Sequence, residues 1–271
     1  MRRTSPPDSG SFRRQLRLVS TAVSVTLLLS ACGGGGGGGA APAAPGAPGA
    51  PGAPATPAAP AVALAAEGGW SGKTAGGVEF AFLVLENAET WSVSIGSDMG
   101  LLSGKTVVDG SAATITGTSF SAGKGAISTA AGFTATVVPK TSLNGVLTGG
   151  STALSTQYDV GYDETPPSLA TTAGTYAGVV GTLKTAPTTF NLTLSATGAI
   201  TASAGACSIT GNAKGRPSGK AVFDVTLALA GTCDFSSATG VMVFDLKNKG
   251  TIFMAMNPAK SDGMVFIGNK P

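Results

Sequence analysis

The chain has 271 residues, of which 41 are glycine, 11% are charged and none is histidine. Without histidine, Ser-His-Asp and Cys-His catalytic arrangements are excluded, and zinc and copper sites lose their commonest ligand. The formal charge of +3 is misleading, because five of the 17 basic residues and one of the 14 acidic residues precede Cys32, which leaves 12 basic and 13 acidic residues after it. The later lysines stand singly, so the basic cluster that nucleic-acid binding requires is missing and no nucleic-acid partner is predicted.

The first predicted element is an export signal. Five arginines precede an apolar stretch of 14 residues, 18–31, which is too short to span a bilayer and has the length of a signal-peptide hydrophobic region. The stretch ends in Leu29-Ser30-Ala31-Cys32, which resembles the processing site of bacterial lipoproteins: an aliphatic residue, two small residues and a cysteine.

The lipoprotein resemblance implies a signal peptide over residues 1–31, cleavage before Cys32 and lipidation of Cys32 by acyl chains such as palmitate. Gly33, rather than aspartate, follows the cysteine, which implies the outer membrane, on its periplasmic face or at the cell surface. Two or three acyl chains bind a membrane far more tightly than one, so the predicted partner is the membrane itself. The alternative is an ordinary signal peptide with an incidental cysteine.

A linker is predicted over residues 32–66. Seven consecutive glycines occupy residues 33–39, and prolines recur at short intervals from Pro42 to Pro60 among alanine and glycine. This composition cannot form helix or sheet, so it predicts a disordered tether with polyproline II character.

The remaining sequence predicts an all-β fold with two tandem small antiparallel β-barrel or β-sandwich domains, residues 67–165 and 166–271. Alternating strands such as residues 91–95 and 223–229 are separated by turn residues. The halves share a G-x-[WY]-x-G pattern around Trp70 and Tyr176, which resembles the opening strand of small meander barrels such as lipocalins and streptavidin. Paired prolines near the boundary cannot continue a β-ladder. One larger sandwich built from both halves remains the alternative.

Two further features of the second half carry predictions. The closing strands, near residues 241–246, 251–256 and 264–267, are apolar on both faces, so they should lie centrally or against a neighbouring domain. Cys207 and Cys233 form the only internal cysteine pair once Cys32 is lipidated, and export predicts a disulfide between them. A redox or metal pair would need a C-x-x-C spacing or histidine.

No catalytic residue, metal site or cofactor is predicted. The sequences at Lys73 and Lys105 resemble the end of a P-loop but lack its first glycine, and Ser121 and Lys124 fit S-x-x-K in a Gly-Ser loop where that motif needs a helix. The paired acids Asp163 and Glu164, and Glu86 and Glu89, are interpreted as solvated loop charges.

Amphipathic aromatic side chains remain as candidates for binding. Trp70 and Tyr176 are expected to plug the barrel ends and Trp91 to fill a core, whereas Tyr158 and Tyr162 are predicted to be exposed and available for binding. The leading hypothesis is a non-enzymatic, lipid-anchored outer-membrane protein with a binding or envelope-structural role. A protein or cell-surface partner is one option under this hypothesis. The alternatives are an inhibitor of an envelope hydrolase, similar to the lysozyme-inhibitor lipoproteins, or a carrier of a small apolar ligand within a barrel.

Overall fold

The computed structural model describes residues 64–271; the predicted signal peptide, Cys32 and most of the predicted linker lie outside this part. Sixteen strands form two closed barrels in tandem, each with eight antiparallel strands in sequence order. The predicted pair of all-β domains is therefore confirmed as two barrels, and the alternative of one merged sandwich is wrong. Both helical segments within residues 64–271 are four residues long, and neither could cross a membrane.

Barrel 1 is an up-and-down meander closed by pairing of its first and last strands. Its strands are β1 (Gly68–Thr74), β2 (Glu79–Val84), β3 (Glu89–Ile95), β4 (Met99–Asp109), β5 (Ala112–Ser121), β6 (Ile127–Val138), β7 (Ser142–Leu147) and β8 (Ala153–Asp159). A turn around Asn87 joins β2 to β3, with Ala88 at a positive φ of 65°.

Barrel 2 repeats this topology after a short connection. The connection contains a 3-10 turn (Val160–Asp163) and the helix α1 (Leu169–Thr172), which Ser168 caps by accepting a hydrogen bond from the Thr171 amide. The strands are β9 (Gly174–Thr182), β10 (Thr188–Leu194), β11 (Ala199–Ala204), β12 (Cys207–Gly215), β13 (Val222–Gly231), β14 (Ser237–Asp245), β15 (Gly250–Met256) and β16 (Gly263–Asn269).

One end of each barrel is closed by an aromatic side chain that makes the same kind of hydrogen bond. The Trp70 indole donates a hydrogen bond to the Ala66 carbonyl at 3.0 Å, and the Tyr176 hydroxyl donates to the Thr172 carbonyl at 2.6 Å, in each case four residues upstream. Burial raises the pKa of Tyr176 to about 12. The two aromatic plugs are confirmed, and residues 64–66, which the sequence assigned to the linker, pack against the interior of barrel 1.

The two barrels share an apolar interface. Outward side chains of barrel 1, such as Val93 and Phe120, pack with outward side chains of barrel 2, such as Met254 and Val265. The inward neighbours of those barrel 2 residues, including Phe253, fill the interior of barrel 2. The closing strands are therefore apolar on both faces for the reason predicted, because each lies between a core and a neighbouring domain.

Cys207 and Cys233 are joined by a disulfide, as predicted. The bond links the start of β12 to the segment that follows β13, and both cysteines, with Phe235, pack against the core of barrel 2. The disulfide therefore helps to cover the end of barrel 2 that lies opposite Tyr176.

Candidate ligand-binding site

A cavity of about 520 Å³ occupies one end of barrel 1. This end carries the β1–β2, β3–β4, β5–β6 and β7–β8 loops and lies opposite the end that Trp70 closes. Phe80 and Phe82 are stacked with their ring centroids 5.7 Å apart, and the centroid of Phe133 lies 4.7 Å from that of Phe82. The volume falls within the range of about 300 to 1,000 Å³ found for small-molecule sites.

Small inward side chains create this space. They are Ser92, Ser94, Gly100, Ser119, Ser121 and Ser128. Deeper in the wall, Gly104 and Gly117 are register partners, and a Cβ on Gly104 would collide with the Thr116 carbonyl. The strands β4 and β5 thus approach each other too closely there for larger residues, and the interior above them stays unfilled.

The serine hydroxyls of the cavity lack protein partners. Among the hydrogen bonds within residues 64–271, none involves the hydroxyls of the five lining serines, 92, 94, 119, 121 and 128. No fully buried side-chain oxygen or nitrogen in this part of the chain is unpaired, so these hydroxyls are open to the cavity. They are therefore available to hydrogen-bond with a ligand or with water.

Polar groups towards the closed end of barrel 1 behave differently. The Thr90 and Thr106 hydroxyls hydrogen-bond to each other at 2.6 Å, and the Thr156 hydroxyl donates to the Leu143 carbonyl at 2.5 Å. Buried polar groups are normally satisfied in this way. Unpaired hydroxyls inside barrel 1 are thus a property of the open end.

The β5–β6 loop forms one rim of the cavity, and barrel 2 holds it in place. The amides of Gly123 and Gly125, at positive φ values of 74° and 66°, donate to the carbonyls of Thr182 and Leu183 at 3.0 and 2.9 Å. Between them, Lys124 forms an ion pair with Asp98 at 3.2 Å. Ser121 ends β5 and Lys124 lies in this loop, so the pair is not on a helix, as the sequence predicted.

Tyr158 and Tyr162 lie at the other end of barrel 1. Tyr162 is only 4% exposed and donates to Glu67 at 3.3 Å, while half-buried Tyr158 donates to Asp163 at 2.7 Å. Burial, reinforced by these acidic neighbours, raises the pKa of both tyrosines well above the ordinary value. The expectation of an exposed pair is wrong for Tyr162, because the 3-10 turn folds the segment back over the barrel end and against barrel 2.

Asp163 connects the two barrels. It accepts hydrogen bonds from Lys140 at 2.5 Å, from Lys220 of barrel 2 at 2.6 Å and from Tyr158. Burial alone would raise the pKa of Asp163, but these hydrogen bonds outweigh it and hold the pKa well below its usual range. Asp163 was expected to be a solvated loop charge and is instead the centre of an ion-pair network.

Arg216 of barrel 2 forms a second ion-pair contact between the barrels. Its guanidinium, 8% exposed, contacts Glu86 of the β2–β3 turn at 2.9 Å and also pairs with Asp224. Glu86, too, is therefore an interface residue, where the sequence suggested a solvated acid.

Trp91 fills the core between the barrels. Its indole is 1% exposed and donates to Glu89 at 3.0 Å, and the Lys260 ammonium lies 5.0 Å from its ring centroid. The predicted core position is confirmed, although this core lies outside barrel 1 and not within it.

A second depression, of about 540 Å³, lies where β10 and β11 diverge beyond the Leu192–Ala202 pair. Phe190 is its one large apolar lining residue, beside Thr189, Asn191 and Ser203. No group of three or more acidic or cysteine side chains in residues 64–271 is arranged to hold a metal ion. The cavity of barrel 1, with the rings of Phe80, Phe82 and Phe133 and five serine hydroxyls, is the stronger candidate site.

Comparison with known proteins gave no match to a family model, to a curated protein or to a solved structure. Of the cavity residues, the sequence singled out Ser121 and Lys124, and only as an S-x-x-K match, since isolated serines in alternating strands are commonly solvent-facing. The available signal was a coincidence of small residues on the inward faces of four consecutive strands, β3 to β6, and it can be read only when the strand register is known.

Proposed function

We propose that this protein is a lipid-anchored, non-enzymatic binding protein of the outer membrane, and that barrel 1 holds a small ligand with an apolar part in its open cavity. The proposal rests on one observation: the open end of barrel 1 is unfilled, in contrast to the rest of the two barrel interiors. Barrel 2 and the closed end of barrel 1 are filled by buried side chains, while one end of barrel 1 is left open over a floor of three phenylalanines.

The chemistry of the cavity suits binding. Small-molecule sites are concave and mostly apolar, with a few convergent polar groups that orient the ligand. The polar groups here are hydroxyls, and the lining cation, Lys124, is already paired with Asp98. A serine nucleophile would need a base within hydrogen-bond reach, and no such hydrogen bond involves these serines within residues 64–271.

The membrane location is supported by the Leu29-Ser30-Ala31-Cys32 sequence and the Gly/Ala/Pro-rich linker that follows it. A linker of this composition reaches up to roughly 70 Å when fully extended. Cells that express the chain should incorporate labelled palmitate into it, and Cys32→Ala should abolish the labelling while the protein is still made. Labelling of the Cys32→Ala variant would contradict the anchor.

Ligand binding in the cavity is tested with N-phenyl-1-naphthylamine, an uncharged aromatic probe that fluoresces in apolar surroundings. The mature chain without its lipid-bearing Cys32, residues 33–271 and called the mature chain below, should bind about one equivalent saturably. Ser119→Leu places a larger side chain in the cavity and should weaken binding by tenfold or more, roughly the effect of 1.4 kcal/mol. Ser208→Leu, on the exposed outer face of β12, is the matched control and should bind like the wild type.

Equal probe binding by the wild type and Ser119→Leu, with both proteins folded by circular dichroism, would contradict the assignment of the cavity. Absence of saturable binding to the wild type would contradict the proposed function itself.

A further inference from the structure

We infer that the cavity of barrel 1 selects an uncharged amphiphile of the monoacylglycerol class, with its acyl chain against the apolar lining and its hydroxyl-bearing head at the serines of the cavity wall. This inference rests on the proposed function and names the ligand class of the same site. Three properties of the cavity lead to it: uncovered apolar surface, unpaired hydroxyls and the absence of an available charge in its described lining.

The cavity lining includes apolar side chains that are partly exposed. Phe80, Leu102 and Leu147 line the cavity, yet each is only partly buried. Comparable inward residues of barrel 2, such as Phe190 and Leu192, are almost fully buried. Because removing apolar surface from water is favourable in proportion to its area, an acyl chain that covers these side chains would be stabilised.

The serines require a partner that both donates and accepts hydrogen bonds. A serine hydroxyl supplies one donor and two acceptor positions. In strand register, Ser92 and Ser119 lie on either side of Leu102, and Ser128 pairs with Ser119, so three hydroxyls stand along one row of the wall. The two hydroxyls and the ester carbonyl of a glycerol head match this arrangement, whereas a hydrocarbon would leave all of these groups without a partner.

The charges at the rim disfavour an ionised head. Lys124 is the one charged residue among the residues that line the described cavity, and Asp98 already neutralises it at 3.2 Å. A carboxylate would meet a cation that is paired and an aspartate beside it, and an ammonium would find no free carboxylate in the lining. Either ion would lose hydration without gaining a counter-ion.

The test is displacement of N-phenyl-1-naphthylamine from the mature chain at pH 8 by three molecules with the same 12-carbon chain: 1-monolaurin, laurate and dodecylamine. Each is used below the concentration at which it aggregates. We expect monolaurin to displace the probe at a concentration about tenfold lower than either ion, because the ions bear an uncompensated desolvation cost.

Serine variants identify the head-group contacts. Ser92→Ala and Ser119→Ala should each weaken monolaurin binding by roughly 2- to 10-fold, the effect of one lost neutral hydrogen bond, while probe affinity is unchanged. Ser208→Ala, outside the cavity, should change neither the affinity for monolaurin nor the affinity for the probe. Thermal melting shows whether each variant is folded.

Three results would overturn the inference. Laurate that binds as well as monolaurin, and loses affinity in Lys124→Gln, would assign an anionic ligand. Probe binding that none of the three amphiphiles displaces would reject the ligand class and leave the proposed function standing, whereas failure of the wild type to bind the probe rejects both.

Discussion

Barrel 1 and barrel 2 have the same eight-stranded meander and the same kind of aromatic plug at one end, yet their opposite ends differ. On β13 of barrel 2, the inward side chains Leu227 and Leu229 are buried. On β5, the strand at the same place in barrel 1, Ser119 and Ser121 face the cavity. A closed barrel of this size is thus either filled or open according to the size of a few inward side chains.

The disulfide belongs to barrel 2, the filled barrel. The Cys207–Cys233 disulfide lies at the end of barrel 2 that corresponds to the cavity mouth of barrel 1. Barrel 1 has no disulfide within the described residues, and its rim loop is held by the backbone of barrel 2. Barrel 2 therefore serves as the rigid partner that positions the rim of barrel 1.

The largest expected difference between the barrels concerns core truncation. Phe253→Ala removes a fully buried side chain from barrel 2 and should lower the free energy of unfolding by about 3 to 5 kcal/mol. Phe80→Ala, at the partly exposed floor of the cavity, should lower the free energy of unfolding by only about 1 kcal/mol. Urea denaturation of both variants measures the difference, and equal losses would mean that the open end of barrel 1 is packed as tightly as barrel 2.

Removal of the disulfide should have the next largest effect. For cysteines separated by 26 residues, the chain-entropy model predicts a loss of roughly 3 to 4 kcal/mol in the Cys207→Ala, Cys233→Ala double variant. Denaturation without reductant measures this loss, and the double variant should be insensitive to dithiothreitol while the wild type is destabilised by it. A double variant as stable as the oxidised wild type would contradict the role of the bond in closing barrel 2.

Asp163 tests how the barrels are joined. Asp163→Asn should lower stability by about 1 to 2 kcal/mol at pH 7, since hydrogen bonds to a charged group are lost on a partly exposed site. Because the folded pKa of Asp163 lies below the unfolded value of about 3.9, its contribution is complete above about pH 5 and is lost as the pH falls through 4 and below.

The difference in unfolding free energy between wild type and Asp163→Asn should therefore shrink on acidification. Denaturation at a series of pH values from 7 to 3 measures it. Asp109→Asn, an exposed position on β4 with no ion pair within residues 64–271, is the control and should show no such trend. A difference that does not change with pH would argue against the Asp163 network.

Filling the cavity should have the smallest effect on stability. Ser119→Leu adds volume to open space, so we expect a change of less than about 1 kcal/mol in either direction. Ala238→Leu makes a comparable addition to the packed interior of barrel 2 and should cost about 1 to 3 kcal/mol through overpacking. Equal costs for the two variants would mean that barrel 1 has no space to fill.

Much of the fold was predictable from the sequence because it depends on local patterns. Period-two alternation identified the strands, and the G-x-[WY]-x-G pattern identified the start of each barrel. The sequence did not predict which face of each strand points into its barrel. In residues 91–95 the apolar residues Trp91 and Val93 face barrel 2 and Ser92 faces the cavity, the reverse of a simple barrel. Alternation defines two faces, but where two barrels pack together both faces of a strand can be buried.

The candidate site was not predictable for a related reason. Its residues come from six strands, and only their register places Ser92, Ser119 and Ser128 in one row. Burial of Tyr162 depends likewise on a four-residue turn that returns the chain to barrel 2. The disulfide was predictable because a single internal pair of cysteines left no other partner.

The most direct test of the contrast between the barrels is a methyl NMR titration of the mature chain with N-phenyl-1-naphthylamine. The methyl groups of Leu102 and Leu147 line the cavity of barrel 1, and those of Leu192, Ile209 and Leu227 fill barrel 2. The first set should shift saturably with the probe and the second set should remain unchanged. Shifts confined to the barrel 2 methyl groups, or equal shifts in both sets, would contradict the assignment of barrel 1 as the ligand-binding barrel.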